Sequence, residues 1–140
     1  MDQTASALAL ASLLCLAMAS PTAGANGHGG LAKPELVRRE VVQGMPRGDS
    51  QEIRVLTATF QPGDSTVFHT HRSPVTVYVL EGQFTLELEG PPPVTVRAGE
   101  AYVEPPHIRM TGFNRSNDQA LKVLIFYVSD PGTPFLDESR

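Results

Sequence analysis

Short apolar runs separated by turn-forming residues follow one another from residue 35 to near the end of the chain. In residues 83–89, apolar and polar positions alternate with period two, which places Phe84, Leu86 and Leu88 on one face of a strand. No segment of useful length has the periodicity of an amphipathic helix. Eight or nine short strands spaced by turns are typical of a β-sandwich or barrel. The expected strands are 36–43, 52–60, 66–70, 75–80, 83–89, 94–97, 101–104, 108–113 and 121–129.

The chain is long enough for one globular domain, which we expect to span residues 35–130. It has 140 residues, of which 41% are hydrophobic, and a single domain commonly has about 100–150 residues. The Gly-containing residues 26–34 are expected to form a flexible N-terminal segment. Pro131 and Pro134 cannot continue a strand, so residues 131–140 are expected to form a C-terminal tail over the surface.

The beginning of the chain has a different character from the rest. Residues 5–19 are almost entirely apolar, with the length of the hydrophobic part of a signal peptide and too short to span a bilayer. This pattern predicts a signal peptide within residues 1–25, cleaved after Ala19 or Ala25, and export to the periplasm or the cell exterior without membrane attachment after processing. The first four residues lack the Lys or Arg expected there. Without a functional signal the protein would be cytoplasmic.

Charge and cysteine content restrict the chemistry that the chain can support. The formal net charge of -4 and the absence of a basic block argue against a nucleic-acid partner. The only cysteine, Cys15, lies in the apolar leader, so the processed chain would have no thiol. Any metal would then be held by His, carboxylate, Met or main-chain oxygen, and no organic cofactor is expected.

Two histidines give the clearest chemical signal in the chain. His69 and His71 are two residues apart in an extended segment, and side chains on a strand alternate with period two. Both imidazoles therefore point to the same face and can approach one ion. Imidazole suits several transition metals, so we expect a divalent ion (Fe, Cu, Mn, Ni or Zn) as the candidate cofactor.

The residues around these histidines resemble the first sequence motif of the cupins, a superfamily of small jelly-roll β-barrels. Gly63, His69, His71 and Gly82 fall in the register of that motif. Val75 stands at the position of the family's glutamate. This resemblance implies an all-β fold, a single jelly-roll barrel of about eight or nine short antiparallel strands.

The second cupin motif is also present, with two departures. Gly99, Pro105 and Asn114 fall in register, whereas His107 replaces the family's glycine and Met110 replaces its histidine. The family's usual metal centre of three His and one Glu, which the resemblance implies, therefore keeps only two of its ligands here. The two motifs, in the right order and spacing, extend the resemblance over residues 36–128.

Three interpretations of the altered centre remain open. In the first, His107 supplies the third imidazole after a rearrangement of its turn. In the second, Met110 is itself a ligand, and its soft thioether would favour copper. In the third, no specific metal binds, and Met110 and Val75 pack an apolar pocket. Glu104 is either a replacement carboxylate or an exposed residue at the rim.

The resemblance to cupins leaves two functions in competition, because a fold does not choose a reaction. One is a metal-dependent enzyme, similar to the dioxygenases or isomerases of the family, that acts on a small molecule. The other is a non-catalytic module that binds a small ligand in a vestigial, metal-free pocket. Cupin barrels commonly pair, so the resemblance also implies a homodimer.

Overall fold

The computed structural model describes residues 30–140 of the protein. The chain divides into two units, Met1–Lys33 and Pro34–Arg140, and every strand found within residues 30–140 lies in the second unit. The signal peptide expected within residues 1–25 falls outside the described residues. Between residues 30 and 140, no helix is long and apolar enough to cross a membrane.

The second unit is built of β-strands, and residues 34–140 contain no helix. The strands are β1 (Glu52–Phe60), β2 (His69–Thr70), β3 (Val75–Glu81), β4 (Gln83–Leu88), β5 (Val94–Arg97), β6 (Ala101–Glu104), β7 (Met110–Phe113), β8 (Leu121–Ser129) and β9 (Asp137–Glu138).

The strands form two antiparallel sheets with the connectivity of a jelly roll. One sheet has the order β1-β8-β3-β6 and the other has the order β5-β4-β7-β2-β9. Inward side chains of both sheets contribute to one apolar core, so the interior is shared. The all-β jelly-roll prediction is confirmed. The buried apolar residues are Val75, Val77, Val79, Phe84, Leu86, Leu88, Val96, Met110, Leu121, Val123 and Tyr127.

The turn between β3 and β4 depends on a glycine. Gly82 has a φ of 77°, in the left-handed region that side chains disfavour. A Cβ at this position would lie 2.5 Å from the backbone oxygen of Ala120. Only glycine therefore lets the hairpin close against the residues that lead into β8.

The first expected strand, residues 36–43, is absent, and that prediction was wrong. Its apolar residues come in adjacent pairs, Leu36 with Val37 and Val41 with Val42, so they cannot all face one side of a sheet. Leu36 is 74% exposed and Val41 is 95% exposed. The segment runs in an irregular conformation instead.

The two sheet segments next to the histidines are shorter than predicted. β2 contains only His69–Thr70 of the expected 66–70, and β7 begins at Met110 rather than at residue 108. His107 explains the late start of β7, because its φ of 63° interrupts an extended backbone just before the strand.

The last strand, β9, was not expected. Residues 131–134 form no strand, but the chain then returns to the sheet at Asp137–Glu138. There β9 pairs with β2, with Thr70 opposite Asp137 and His69 opposite Glu138. The end of the chain therefore lies directly beside the histidine pair.

Candidate functional site

His69 and His71 lie together in the interior of the barrel. Their exposed fractions are 4% and 1%, and their rings meet edge to face with centroids 4.8 Å apart. The Nε2 atoms of the two rings are 3.1 Å apart. The predicted convergence of the two imidazoles is therefore present in the fold.

The opposite nitrogen of each ring is fixed by a backbone carbonyl. The Nδ1 of His69 lies 2.7 Å from the oxygen of Val67, and the Nδ1 of His71 lies 2.7 Å from the oxygen of Phe135. A carbonyl oxygen can only accept, so each Nδ1 carries the hydrogen and donates it. In the neutral rings each Nε2 then has a free lone pair. The two lone pairs face each other across 3.1 Å.

A buried carboxylate completes this cluster. Glu104 is 5% exposed, and its Oε2 lies 3.2 Å from the Nε2 of His71. It is the last residue of β6, where it stands opposite Val75 on β3. Directly opposed residues in an antiparallel pair project to the same face. Glu104 thus places a carboxylate on the neighbouring strand, opposite position 75, where this chain has Val instead of the family's glutamate. Of the two expectations for Glu104, the structure shows the buried one and not the exposed residue at the rim.

Burial governs the charge of His69. Desolvation lowers the pKa of His69, and the nearby His71 acts in the same direction. The hydrogen bond to Val67 and the charge of Glu104 oppose this shift without reversing it. The lowered pKa of His69 favours the neutral imidazole, which is the form that binds metals.

The cluster places lone pairs of its three side chains close together. This arrangement is energetically favourable only if the lone pairs share a cation. Three electron-rich atoms, the Nε2 of His69, the Nε2 of His71 and an oxygen of Glu104, approach one another at 3.1 and 3.2 Å. Either a proton or a metal ion would relieve their repulsion. Two ligands about 2.1 Å from one ion are about 3.0 Å apart at right angles and about 3.4 Å apart in a tetrahedron. The two separations from His71, to His69 and to Glu104, therefore fit neighbouring metal ligands.

The three side chains do not yet form a complete cage. Within residues 30–140, no group of three or more His, Cys, Asp or Glu side chains is placed to hold an ion. The cluster consists of two adjacent donor pairs that share His71. Glu104 and His69 would have to move toward a common point to bring all three donors onto one ion.

Met110 lies next to the pair but within the apolar core. It is fully buried, and it stands opposite His69 on one side and Leu88 on the other. Its side chain therefore shares a face with His69. Val75 is also fully buried, and it offers no donor atom. Both residues contribute apolar walls to the barrel interior.

His107 lies apart from the pair. His107 is exposed, and it lines a separate surface groove with Pro74 and Val103. Its backbone nitrogen donates a hydrogen bond of 2.8 Å to the carbonyl oxygen of His71. The structure therefore places His107 as a backbone support for His71, and brings Glu104 rather than His107 to the two imidazoles.

The cluster opens onto a small cavity of about 60 Å³. This volume has room for a metal ion and a few water molecules. Apart from the two histidines, Glu104 and Thr66, the cavity is lined by apolar side chains. These are Phe60, Val75, Val77, Phe84, Val123, Ile125, Phe135 and Leu136.

The role of Phe135 is the feature that sequence reasoning missed. Its carbonyl fixes His71, and its ring packs against the same histidine with centroids 5.1 Å apart. The two residues are 64 positions apart in the chain. A lone Phe between Pro134 and Leu136 carries no sequence signal for this contact.

Comparisons with solved structures place the fold among cupin-like proteins. A cupin-like protein from Thermotoga maritima is 22% identical with a TM-score of 0.52, and the match covers 62% of this chain and 64% of that one. An uncharacterized conserved protein with a double-stranded β-helix domain from Klebsiella pneumoniae is 16% identical with a TM-score of 0.55, over 74% and 90% of the two chains. The DMSP lyase DddQ from Ruegeria pomeroyi is 18% identical with a TM-score of 0.52, over 69% and 57%. At these identities the likeness concerns the fold alone.

The family itself is shown by a sequence profile. The chain spans just under two thirds of the Thermotoga protein and a smaller part of the lyase. No curated protein matches it. The profile of the cupin domain, however, matches residues 56–127, just over half of the chain. That range contains both histidines, Glu104 and the two motifs that carry the resemblance. This protein is a member of the cupin superfamily.

Proposed function

We propose that this cupin binds one divalent transition metal ion through His69, His71 and Glu104, and uses it to act on a small molecule. The observation that carries the proposal is the orientation of the two imidazoles. Both Nδ1 atoms donate to backbone carbonyls, and both Nε2 lone pairs converge beside a buried carboxylate. Outer hydrogen bonds of this kind orient metal-ligating histidines in proteins.

The donor set limits the metal. Two imidazoles and one carboxylate, without a thiolate, suit Fe(II), Mn(II), Ni(II), Cu(II) or Zn(II). Two His and one carboxylate with open positions are the ligands of many non-haem iron oxygenases. When bound, the ion would supply Lewis-acid or dioxygen chemistry. The protein residues would hold it, and the apolar walls would keep bulk water from it. We therefore place a dioxygenase-like or isomerase-like reaction first.

The competing function is binding without catalysis. It is favoured by the incomplete arrangement of the three donors within residues 30–140 and by the apolar packing of Met110 and Val75. In that case, His69, His71 and Glu104 would form a hydrogen-bonded cluster around a shared proton. The barrel would then hold a small apolar or amphipathic ligand with no ion.

Metal content separates the two functions. We expect the protein, purified without a His-tag and incubated with each of Fe, Mn, Ni, Cu and Zn, to retain close to one equivalent of at least one of them after desalting. Inductively coupled plasma mass spectrometry measures this ratio. His69→Ala should reduce the retained metal to the background level, because one of the two imidazoles is lost. A wild-type protein that retains none of the five metals would overturn the proposal.

A further inference from the structure

We propose that residues 131–139, here called the C-terminal strap, are a movable gate over the His69–His71–Glu104 cavity. The strap would decide which ligands reach the cluster. The purpose of such a gate rests on the proposed function, because it controls access to the same site. Its existence is a property of the metal-free fold and can be tested there.

The strap forms one wall of the cavity. Phe135 and Leu136 both line it. The ring of Phe135 packs against His71, and it also meets Tyr127 edge to face with centroids 5.5 Å apart. Moving these two residues outward would open the cavity from the side of the strap.

The far end of the strap is weakly held. β9 has only two residues, and it pairs with β2, which has only two as well. Outside this pairing, Arg72 donates to both carboxylate oxygens of Asp137 at 2.7 and 2.8 Å, and the nitrogen of Ser139 donates to Phe68. Both members of the Arg72–Asp137 pair are exposed, and exposed ion pairs contribute little to stability.

The near end of the strap is anchored more firmly. Arg54, which is partly buried, donates to the carbonyl oxygen of Thr133 at 2.6 Å. The backbone nitrogen of Gly132 donates to Glu52 at 3.1 Å, and Gly132 has a φ of 76°. With a firm glycine-containing turn at one end and a light attachment at the other, the contacts of Phe135 with His71 and Tyr127 are the main ones that a swing of the strap about residues 131–133 must break.

The small size of the cavity limits which molecules can reach the cluster while the strap is closed. A space of about 60 Å³ admits water molecules or a diatomic molecule beside an ion, but no organic substrate of ordinary size. Larger ligands need more space than this cavity offers, and an outward movement of Phe135 and Leu136 would provide it. Opening would also remove the carbonyl that orients His71, so access and ligand orientation are coupled through one residue.

The test locks the strap by a disulfide. Thr70 and Asp137 are Cα partners in the β2–β9 pairing. Opposed residues in antiparallel strands are about 4.5–5.5 Å apart at Cα, within the range that a disulfide spans. Thr70→Cys/Asp137→Cys in a Cys15→Ser background is prepared metal-free and compared in its oxidised and reduced forms. Each form is treated briefly with diethyl pyrocarbonate, and histidine labelling is quantified by peptide mass spectrometry.

We expect oxidation to slow the labelling of His71 by about tenfold or more, because a closed disulfide suppresses opening of the strap. The exposed His107 is the internal control, and its labelling should be the same in both forms. Equal labelling of His71 in the oxidised and reduced forms would overturn the gate.

A second pair of variants tests the same gate without a disulfide. Arg72→Ala removes the attachment to Asp137, so labelling of His71 should become faster by about 1.5- to 5-fold. Arg109→Ala removes another exposed ion pair, with Glu89, away from the strap, and should leave His71 unchanged. Equal rates in the two variants would also contradict the gate. Failure of the proposed function would appear separately, as a wild-type protein that retains no metal.

Discussion

Glu104→Gln is expected to weaken metal binding by at least about 100-fold. The amide has the size of the carboxylate, so the packing around β6 should be preserved. It lacks the negative charge, however, and binds a divalent ion poorly in place of a carboxylate. Isothermal titration calorimetry of the metal-free protein with the divalent ion that the wild type retains measures the change. Circular dichroism on the same samples would show that the variant remains folded.

Two matched variants test the other ligands considered for this site. His107→Ala and Met110→Leu should bind the metal with nearly the affinity of the wild type, because His107 lies in a separate groove and Met110 packs in the core. A large loss of affinity in His107→Ala, with Glu104→Gln unaffected, would assign the third ligand to His107. The same result in Met110→Leu would assign it to the thioether.

Gly82→Ala is expected to destabilise the fold by about 3 kcal/mol or more. Two effects add at this position. The φ of 77° disfavours any side chain, and the new Cβ would lie 2.5 Å from a backbone oxygen that cannot easily move. Urea denaturation followed by circular dichroism measures the loss.

Gly63→Ala is the matched control for this hairpin. Gly63 has a similar φ of 83°, but a Cβ there would meet no atom within 4 Å. The backbone strain alone should destabilise the protein by about 1–2 kcal/mol. Equal losses in the two variants would mean that the close approach of Ala120 to the turn has no energetic effect.

Much of the fold follows from local patterns. Four strands, β1, β5, β6 and β8, have the predicted bounds, because apolar runs with defined turns on both sides leave little freedom. The strand predicted at residues 36–43 is absent because the segment has the composition of a strand, but its apolar and polar residues do not alternate. β9 could not be predicted because it has only two residues, Asp137 and Glu138, and both are polar, so it shows no apolar alternation.

The candidate site, like the fold, could be predicted from the sequence only in part. His69 and His71 could be found because their spacing alone places both rings on one face. The sequence could not show whether Glu104 is buried at the site or exposed at the rim, since its role depends on the pairing of β6 with β3 opposite Val75. The carbonyl of Phe135 depends on the return of the chain end to β2. Both contacts arise from long-range pairing, which no local sequence pattern encodes.

The most direct test of the proposed metal centre is a crystal structure of the protein loaded with the divalent metal that it retains in solution, with anomalous diffraction data. We expect one anomalous peak inside the barrel, about 2.0–2.3 Å from the Nε2 atoms of His69 and His71 and from a carboxylate oxygen of Glu104. An empty cluster in these metal-loaded crystals, or an ion held by His107 instead, would contradict the account.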